Sequence, residues 1–249
     1  MTSPAARIRV IDLETAGGGP NDVCEIGWQD LEHDARGAWG ISDGRGALFV
    51  NPGRPISFDT MAIHHIRDAD VANAPFWKLV ASDVLRPAGG VLALAAHRAS
   101  FEQRFCTPRF TGGAKWVCTW KCALRLWPHL PRFSNQMLRY QRNPEGLAHE
   151  LGLPAHRALP DAYVTAHHLR DMLNETSLDQ LLAWTREPGL LPRVPAGAHR
   201  GKPWKDLTTD VLRTLLVERA LMYASAPRAS CAGAAKRAKP SPQRRPNSG

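Results

Sequence analysis

The apolar positions near the N-terminus run together and then give way to acids. Ile8, Val10, Ile11 and Leu13 predict a β-strand over residues 7–13. Residues 23–30, Val-Cys-Glu-Ile-Gly-Trp-Gln-Asp, predict a second strand. Residues 47–50 predict a third, entered through a Gly-rich turn at 43–46. Connections this short require antiparallel pairing. Pro52 and Pro55 break the chain, and a helix is expected over 58–66. A second helix is expected over 76–86, begun after Pro75 and stopped before Pro87. Residues 91–96 are apolar throughout and predict a strand buried on both faces. Ser100, with Gln103 three positions on, has capping-box spacing. A helix is therefore expected there, with Glu102 in its first turn.

Beyond this, residues 116–119 predict a short strand, and 121–127, 134–140 and 144–151 predict helices. Residues 161–174 predict a longer helix with Ala162, Ala166, Leu169 and Leu173 as its apolar stripe. Pro160 suits the first turn. The pattern then breaks at 187–203, where Pro188, Pro192, Pro195, Gly197, Gly201 and Pro203 predict a linker. A further helix is expected over 210–222. From 224 onward the chain is Ala, Pro and Ser with Arg228, Lys236, Arg237, Lys239, Arg244 and Arg245 and no acid. That composition predicts a disordered basic tail. The expected organisation is a main domain over 1–180, a linker and small C-terminal unit over 181–223, and the tail over 224–249.

Composition adds little to the fold but narrows the setting. The chain has no run of about 18 apolar residues, so no membrane span is expected. Its first residues lack the apolar core of a signal peptide. Five cysteines are an odd number without framework spacing, which fits a reducing compartment, and a cytoplasmic location is expected. Cys118, Cys122 and His129 lack the closely spaced pairs of a structural zinc site. A net charge of +9 points to a polyanionic partner.

The acids carry the candidate chemistry. Residues i and i+2 of a strand face the same way, so Asp12 and Glu14 project from one side of the first strand. Two like charges that close call for a cation between them. Glu102 lies just beyond the buried strand, where open α/β sheets place ligands. His156 sits on a loop and Asp161 in the first turn of the next helix. Four carboxylates and one imidazole can converge at one end of the sheet. Hard oxygen ligands in that number suit Mg²⁺ or Mn²⁺.

Three segments carry a family pattern. They are Val10-Ile-Asp12-Leu-Glu14-Thr15, continued by Cys24-Glu25-Ile26-Gly27; His97-Arg98-Ala99-Ser100-Phe101-Glu102; and His156-Arg-Ala-Leu-Pro-Asp161-Ala162. In order and spacing, over roughly residues 6–175, the chain resembles the DEDDh 3′→5′ exonucleases, the superfamily of the proofreading subunit of bacterial DNA polymerase III, RNase T and exodeoxyribonuclease X. The stretch 194–204 and the helix after it resemble the C-terminal appendage of exodeoxyribonuclease X-like proteins. The resemblance implies an α/β, ribonuclease H-like fold. It would have a mixed, mainly five-stranded sheet flanked by helices, and a small C-terminal helical appendage. It implies that Asp12, Glu14, Glu102 and Asp161 hold two divalent ions, Mg²⁺ or Mn²⁺, about 3.5–4 Å apart. His156 would be the general base. Thr15, Ala16, His64 and Arg98 would lie along the substrate, with the backbone near Thr15 and Ala16 cradling the terminal nucleotide. The family usually has Asp where this chain has Glu102, and Asn where it has Arg98. The implied activity is removal of nucleoside 5′-monophosphates from 3′ ends of single-stranded DNA, as in proofreading or repair. RNA trimming by the same chemistry, or binding without turnover, are the alternatives. Nucleic acid is the implied partner, and a homodimer the implied possible assembly. His167 and His168 are expected to be non-catalytic.

Overall fold

The structure, a computed structural model, describes residues 6–34 and 36–225. Its strands are β1 (Arg7–Thr15), β2 (Val23–His33), β3 (Trp39–Phe49), β4 (Ala93–Ala96) and β5 (Trp116–Cys118). Between β3 and β4 lie α1 (Phe58–His64), α2 (Asp68–Val71) and α3 (Trp77–Leu85), and α4 (Pro108–Thr111) precedes β5. After β5 come α5 (Thr119–Leu126), α6 (Asn135–Arg142), α7 (Ala158–Glu175), α8 (Leu178–Arg186) and α9 (Thr209–Ser225). The five strands form one sheet in the order β3-β2-β1-β4-β5. The first three pair antiparallel, while β4 and β5 run parallel to β1. This is the mixed five-stranded sheet expected from the sequence.

The central strand sets where the site falls. Ile8 and Val10 point to one face, where Ala166, Leu169 and Met172 of α7 cover them. Ile11 and Leu13 point to the other, against Trp77, Ala81, Val84 and Leu85 of α3. Both faces are thus dry along most of β1, as burial of this much apolar surface requires. By the same alternation Asp12 and Glu14 continue the α7 face, at the end where that helix begins. On β2, Asp30 meets Arg9 in a buried two-pronged ion pair, both contacts at 2.8 Å.

Several expectations fail for identifiable reasons. Residues 43–46 are not a turn, because β3 runs through them. Gly44 and Gly46 are there because the Asp30 side chain and the Trp28 ring of β2 lie over them; a Cβ on Gly46 would come within 2.4 Å of the ring. The register shift opposite, between Gln29 and Leu31, absorbs the extra length. Ser100 does not cap a helix. The backbone at Arg98 is left-handed (φ 70°), and only a single 3₁₀ turn, Glu102–Arg104, follows, without a side-chain cap. Phe101 and Phe105 pair there at 5.4 Å and turn the chain inward. Residues 144–151 do not form a helix either. Gly146 takes left-handed backbone (φ 68°), and only a 3₁₀ turn, Glu150–Gly152, forms, with the Arg139 guanidinium holding the carbonyls of His149 and Gly152. The buried strand is shorter than predicted, starting at Ala93. Finally, α8 was not foreseen, although Ser177 caps it through the Gln180 amide. Its Leu181 and Leu182 join the same core as Ile8 and Val10. The basic tail expected from 224 onward falls, from residue 226, outside the described residues.

Candidate active site

Asp12 and Glu14 of β1 and Asp161 of α7 form one cluster, each offering a carboxylate oxygen within 4.8 Å of the others. Asp161 reaches it because the first turn of α7 sits directly on β2. Gly27 makes that approach possible, since a Cβ there would lie 2.2 Å from the Ala158 backbone. Beside it, the Glu25 carboxylate accepts the Ala158 N–H at 3.0 Å and two bonds from Arg157. An acid at a helix N-terminus is favoured by the unpaired amides there.

The Asp161 carboxylate is held on both sides. Its Oδ2 accepts the His156 backbone N–H at 2.6 Å, and its Oδ1 accepts Gln136 Nε2 at 2.8 Å and Asn135 Nδ2 at 3.2 Å. Asn135 in turn accepts from the Thr165 hydroxyl, and its backbone carbonyl contacts His168 Nε2. Three polar residues thus fix the orientation of one carboxylate, which is how a ligand is commonly positioned.

Glu102 comes from the 3₁₀ turn after β4. It is buried, and its Oε2 has no hydrogen-bond partner. Burial pushes its carboxyl up to about 8, with Glu14 adding to the shift. Glu14 is also pushed up to about 8, by burial and then by Asp161 and Glu25, with Arg157 opposing. Asp12 is held well above the usual carboxylate range by burial first, then by Asp161, Glu14, Glu102 and Glu25. Arg157 is committed to Glu25. The three clustered acids are therefore all hard oxygen donors, crowded and short of positive charge, while Glu102, expected as a fourth ligand, contributes its charge from outside the 4.8 Å group. The cluster fits a divalent cation of the Mg²⁺ or Mn²⁺ type.

The other sequence-predicted residues divide. His156 is exposed on its loop, with left-handed backbone (φ 60°) and its N–H on Asp161, so it borders the cluster. His64 is buried. Its Nδ1 accepts the Ile66 N–H and its Nε2 reaches the Thr15 carbonyl at 3.3 Å, so it braces the end of β1 from behind. Burial lowers its pKa. Thr15 and Ala16 lie beside the acids but are buried. The Ala16 N–H donates to the Asp22 carbonyl and its own carbonyl accepts from the Ser57 N–H. Arg98 is exposed and turns to Trp120, its guanidinium 4.9 Å from the ring centroid. His167 and His168 are buried in α7, their imidazoles lowered to about 4 and about 3 chiefly by burial. The sequence reading missed Arg157, Asn135 and Gln136. Glu25 was visible in the second strand, but nothing marked its partner.

Among known proteins, no family model matches the chain. Exodeoxyribonuclease 10 of Escherichia coli (strain K12) is 36% identical over 208 residues, spanning 80% of this chain and 84% of that protein. A solved structure described as exonuclease X in complex with 5′ overhanging duplex DNA is 34% identical. It superposes with a TM-score of 0.55 over 72% of this chain and 99% of that one. The nuclease domain of 3′hExo, a DEDDh family member bound to rAMP, shares the fold at 18% identity and a TM-score of 0.51, over 70% of this chain and 95% of that one. These likenesses agree with the ribonuclease H-like sheet, and the chain belongs to the exodeoxyribonuclease 10 branch of the DEDDh 3′→5′ exonuclease superfamily.

Proposed function

We propose that this exonuclease removes nucleotides one at a time from 3′ ends of DNA, preferring single-stranded ends, by metal-dependent hydrolysis. The observation that carries the reading is the acidic cluster itself: Asp12, Glu14 and Asp161 within 4.8 Å, beside a buried Glu102 with an orphaned oxygen. It occurs in a chain whose relative is named an exodeoxyribonuclease.

Asp12, Glu14, Glu102 and Asp161 would hold two Mg²⁺ or Mn²⁺ ions. When bound, such ions supply Lewis acidity to the phosphodiester oxygens and positive charge to the departing 3′-oxygen. The remaining work falls to the chain. Asn135, Gln136 and the His156 N–H hold Asp161 in one orientation. The exposed His156 imidazole takes the proton of the attacking water as general base. The water oxygen bonds to phosphorus, the P–O3′ bond breaks, and a nucleoside 5′-monophosphate leaves. His64 is a positioning residue, keeping the Thr15 carbonyl and the end of β1 in place. Catalysis belongs to the unit over residues 1–180, extended by α8, and the C-terminal unit serves substrate binding. No described helix is long and apolar enough to cross a membrane.

The test is a paired assay on DNA and RNA oligonucleotides of one sequence, with the released mononucleotides separated and identified. Deoxynucleoside 5′-monophosphates released faster than ribonucleotides are expected. Faster release from RNA would reverse the sugar preference, because discrimination rests on contacts to the 2′-OH.

A further inference from the structure

The segment after α8 is fastened to the core. Lys121 of α5 donates to the carbonyls of Thr185 and Glu187, both at 2.7 Å. Arg125 pairs with the Glu187 carboxylate at 2.9 Å and bonds the Pro188 carbonyl. Gly189 lies against Trp120, close enough that a Cβ would meet the ring at 2.8 Å. The chain then folds back on itself. The Val194 N–H donates to the Lys202 carbonyl at 2.9 Å and the Gly201 N–H returns to Val194 at 2.8 Å. A residue bridge joins Arg193 to Pro203. Val194 is buried by this arrangement.

Between this folded-back segment and the core lies a cleft of about 480 Å³. Arg98 and Arg132 line it from the core, and Arg193 and Arg200 from the C-terminal unit. No carboxylate lines it. Among the described residues none of the four arginines forms a salt bridge. Arg193 Nη1 donates to the Gly201 carbonyl at 3.1 Å, while its Nε is shielded from solvent and has no acceptor. Four guanidinium groups around one polar cleft, with nothing to neutralise them, are a poor way to stabilise a fold and a good way to bind phosphates.

The cleft is linked to the acidic site through the chain. Its wall at Phe133 and Ser134 leads straight into Asn135 and Gln136, which hold Asp161. The Phe133 carbonyl bonds His97, the residue before Arg98. We infer that the Arg98–Arg132–Arg193–Arg200 cleft binds the phosphodiester backbone of the strand leading into the active site, several nucleotides 5′ of the one removed. The C-terminal unit thereby forms half of the substrate track. This rests on the exonuclease reading only for what the bound strand is doing there; the anion site stands on its own geometry.

The test uses the full chain and the double variant Arg132→Gln, Arg200→Gln. Both side chains are exposed, so the fold should survive, and an unchanged melting temperature checks that. Affinity for a fluorescent oligothymidylate of about 20 nucleotides is measured in EDTA across a salt series, so that no turnover is needed. The variant is expected to bind about tenfold more weakly at low salt, with the slope of log K against log salt shallower by about 1.4, at roughly 0.7 per lost single-strand phosphate contact. In Mg²⁺, the kcat/KM advantage of the long strand over a dinucleotide should fall by a similar factor. An unchanged affinity and slope would overturn the inference, as would an equal loss on strand and dinucleotide. If the unsubstituted protein binds with the expected salt slope but never cleaves, the exonuclease reading fails while the cleft stands. Cleavage with no difference between variant and parent fails the cleft alone.

Discussion

Glu25 and Arg157 meet in a two-pronged ion pair, with Oε1 to Nη2 at 2.6 Å and Oε2 to Nε at 3.0 Å, which fastens the start of α7 to β2. The pair is asymmetric. The Glu25 side chain is 4% exposed and that of Arg157 33%. Glu25 stands directly opposite Glu14 in the sheet. Removing the arginine therefore leaves a buried carboxylate among others of the same charge, whereas removing the carboxylate leaves an arginine that can turn to water. Breaking a buried pair from the side that strands a charge costs about 3–5 kcal/mol. Arg157→Met should therefore lower stability well beyond Glu25→Gln, which keeps an acceptor for the Ala158 N–H. Chemical denaturation of both variants checks the order. Equal losses would mean that the pair is not the clamp.

Gly27 is the companion requirement. Any side chain there must push the first turn of α7 off the sheet, and Asp161 moves with it. Gly27→Ala is expected to cost at least the 1–3 kcal/mol typical of overpacking, roughly, and to cut turnover more than it cuts stability. Urea denaturation and steady-state kinetics on one preparation measure both. A variant with parental kcat would show that the position of α7 does not govern the site.

The crowded carboxylates make stability depend on pH and on cations. Glu14 and Glu102 stand at about 8 in the folded protein against an ordinary 4.5, and Asp12 is also raised. As pH rises through that window the unfolded chain releases protons that the folded protein keeps, so stability falls with rising pH. The buried histidines act in the other direction. His97 and His167 are lowered to about 4, and His168 to about 3, from 6.5, so they withdraw stability as pH drops below 6.5. In EDTA the melting temperature should therefore peak near neutrality or just below and decline toward pH 8. Mg²⁺ or Mn²⁺ should abolish the decline on the alkaline side only. Asp12→Asn should raise the metal-free melting temperature at pH 8 by several degrees, at roughly 2–4 °C per kcal/mol for a chain of this size. A melting temperature in EDTA that climbs steadily from pH 6.5 to 8 would refute the electrostatic description.

His156 has left-handed backbone, which Asn tolerates better than most residues. His156→Asn should keep the N–H bond to Asp161 and lose only the imidazole. The expected result is a fall in kcat of about 10²–10⁴ with oligonucleotide affinity retained. A kcat within about twofold of the parent would remove His156 from the role of base.

Much of this was legible in the residues. Alternation along β1 placed Asp12 and Glu14 on one face, and the apolar run of β4 located the strand behind Glu102. The short connections fixed the antiparallel half of the sheet. What escaped depends on partners distant in sequence. Gly44 and Gly46 looked like a turn because nothing local reveals that Trp28 and Asp30 lie across them. The helix expected over 144–151 is broken at Gly146, which takes left-handed backbone (φ 68°), and Arg139, from α6, holds the loop through the carbonyls of His149 and Gly152. Asn135 and Gln136 are unremarkable as sequence and matter only because α6 delivers them to Asp161. His64, expected beside the substrate, is buried, with its ring nitrogens on the Thr15 carbonyl and the Ile66 N–H, contacts that nothing local in the sequence announces.

The most direct measurement is a time course on a single-stranded DNA oligonucleotide labelled at its 5′ end, run with Mg²⁺, with Mn²⁺ and with EDTA, for the parent and for Asp12→Asn. A ladder shortening from the 3′ end that requires the cation and disappears in the variant is the predicted result. A folded parent that leaves the strand intact under every condition, or an Asp12→Asn protein that shortens it at the parental rate, would contradict the account.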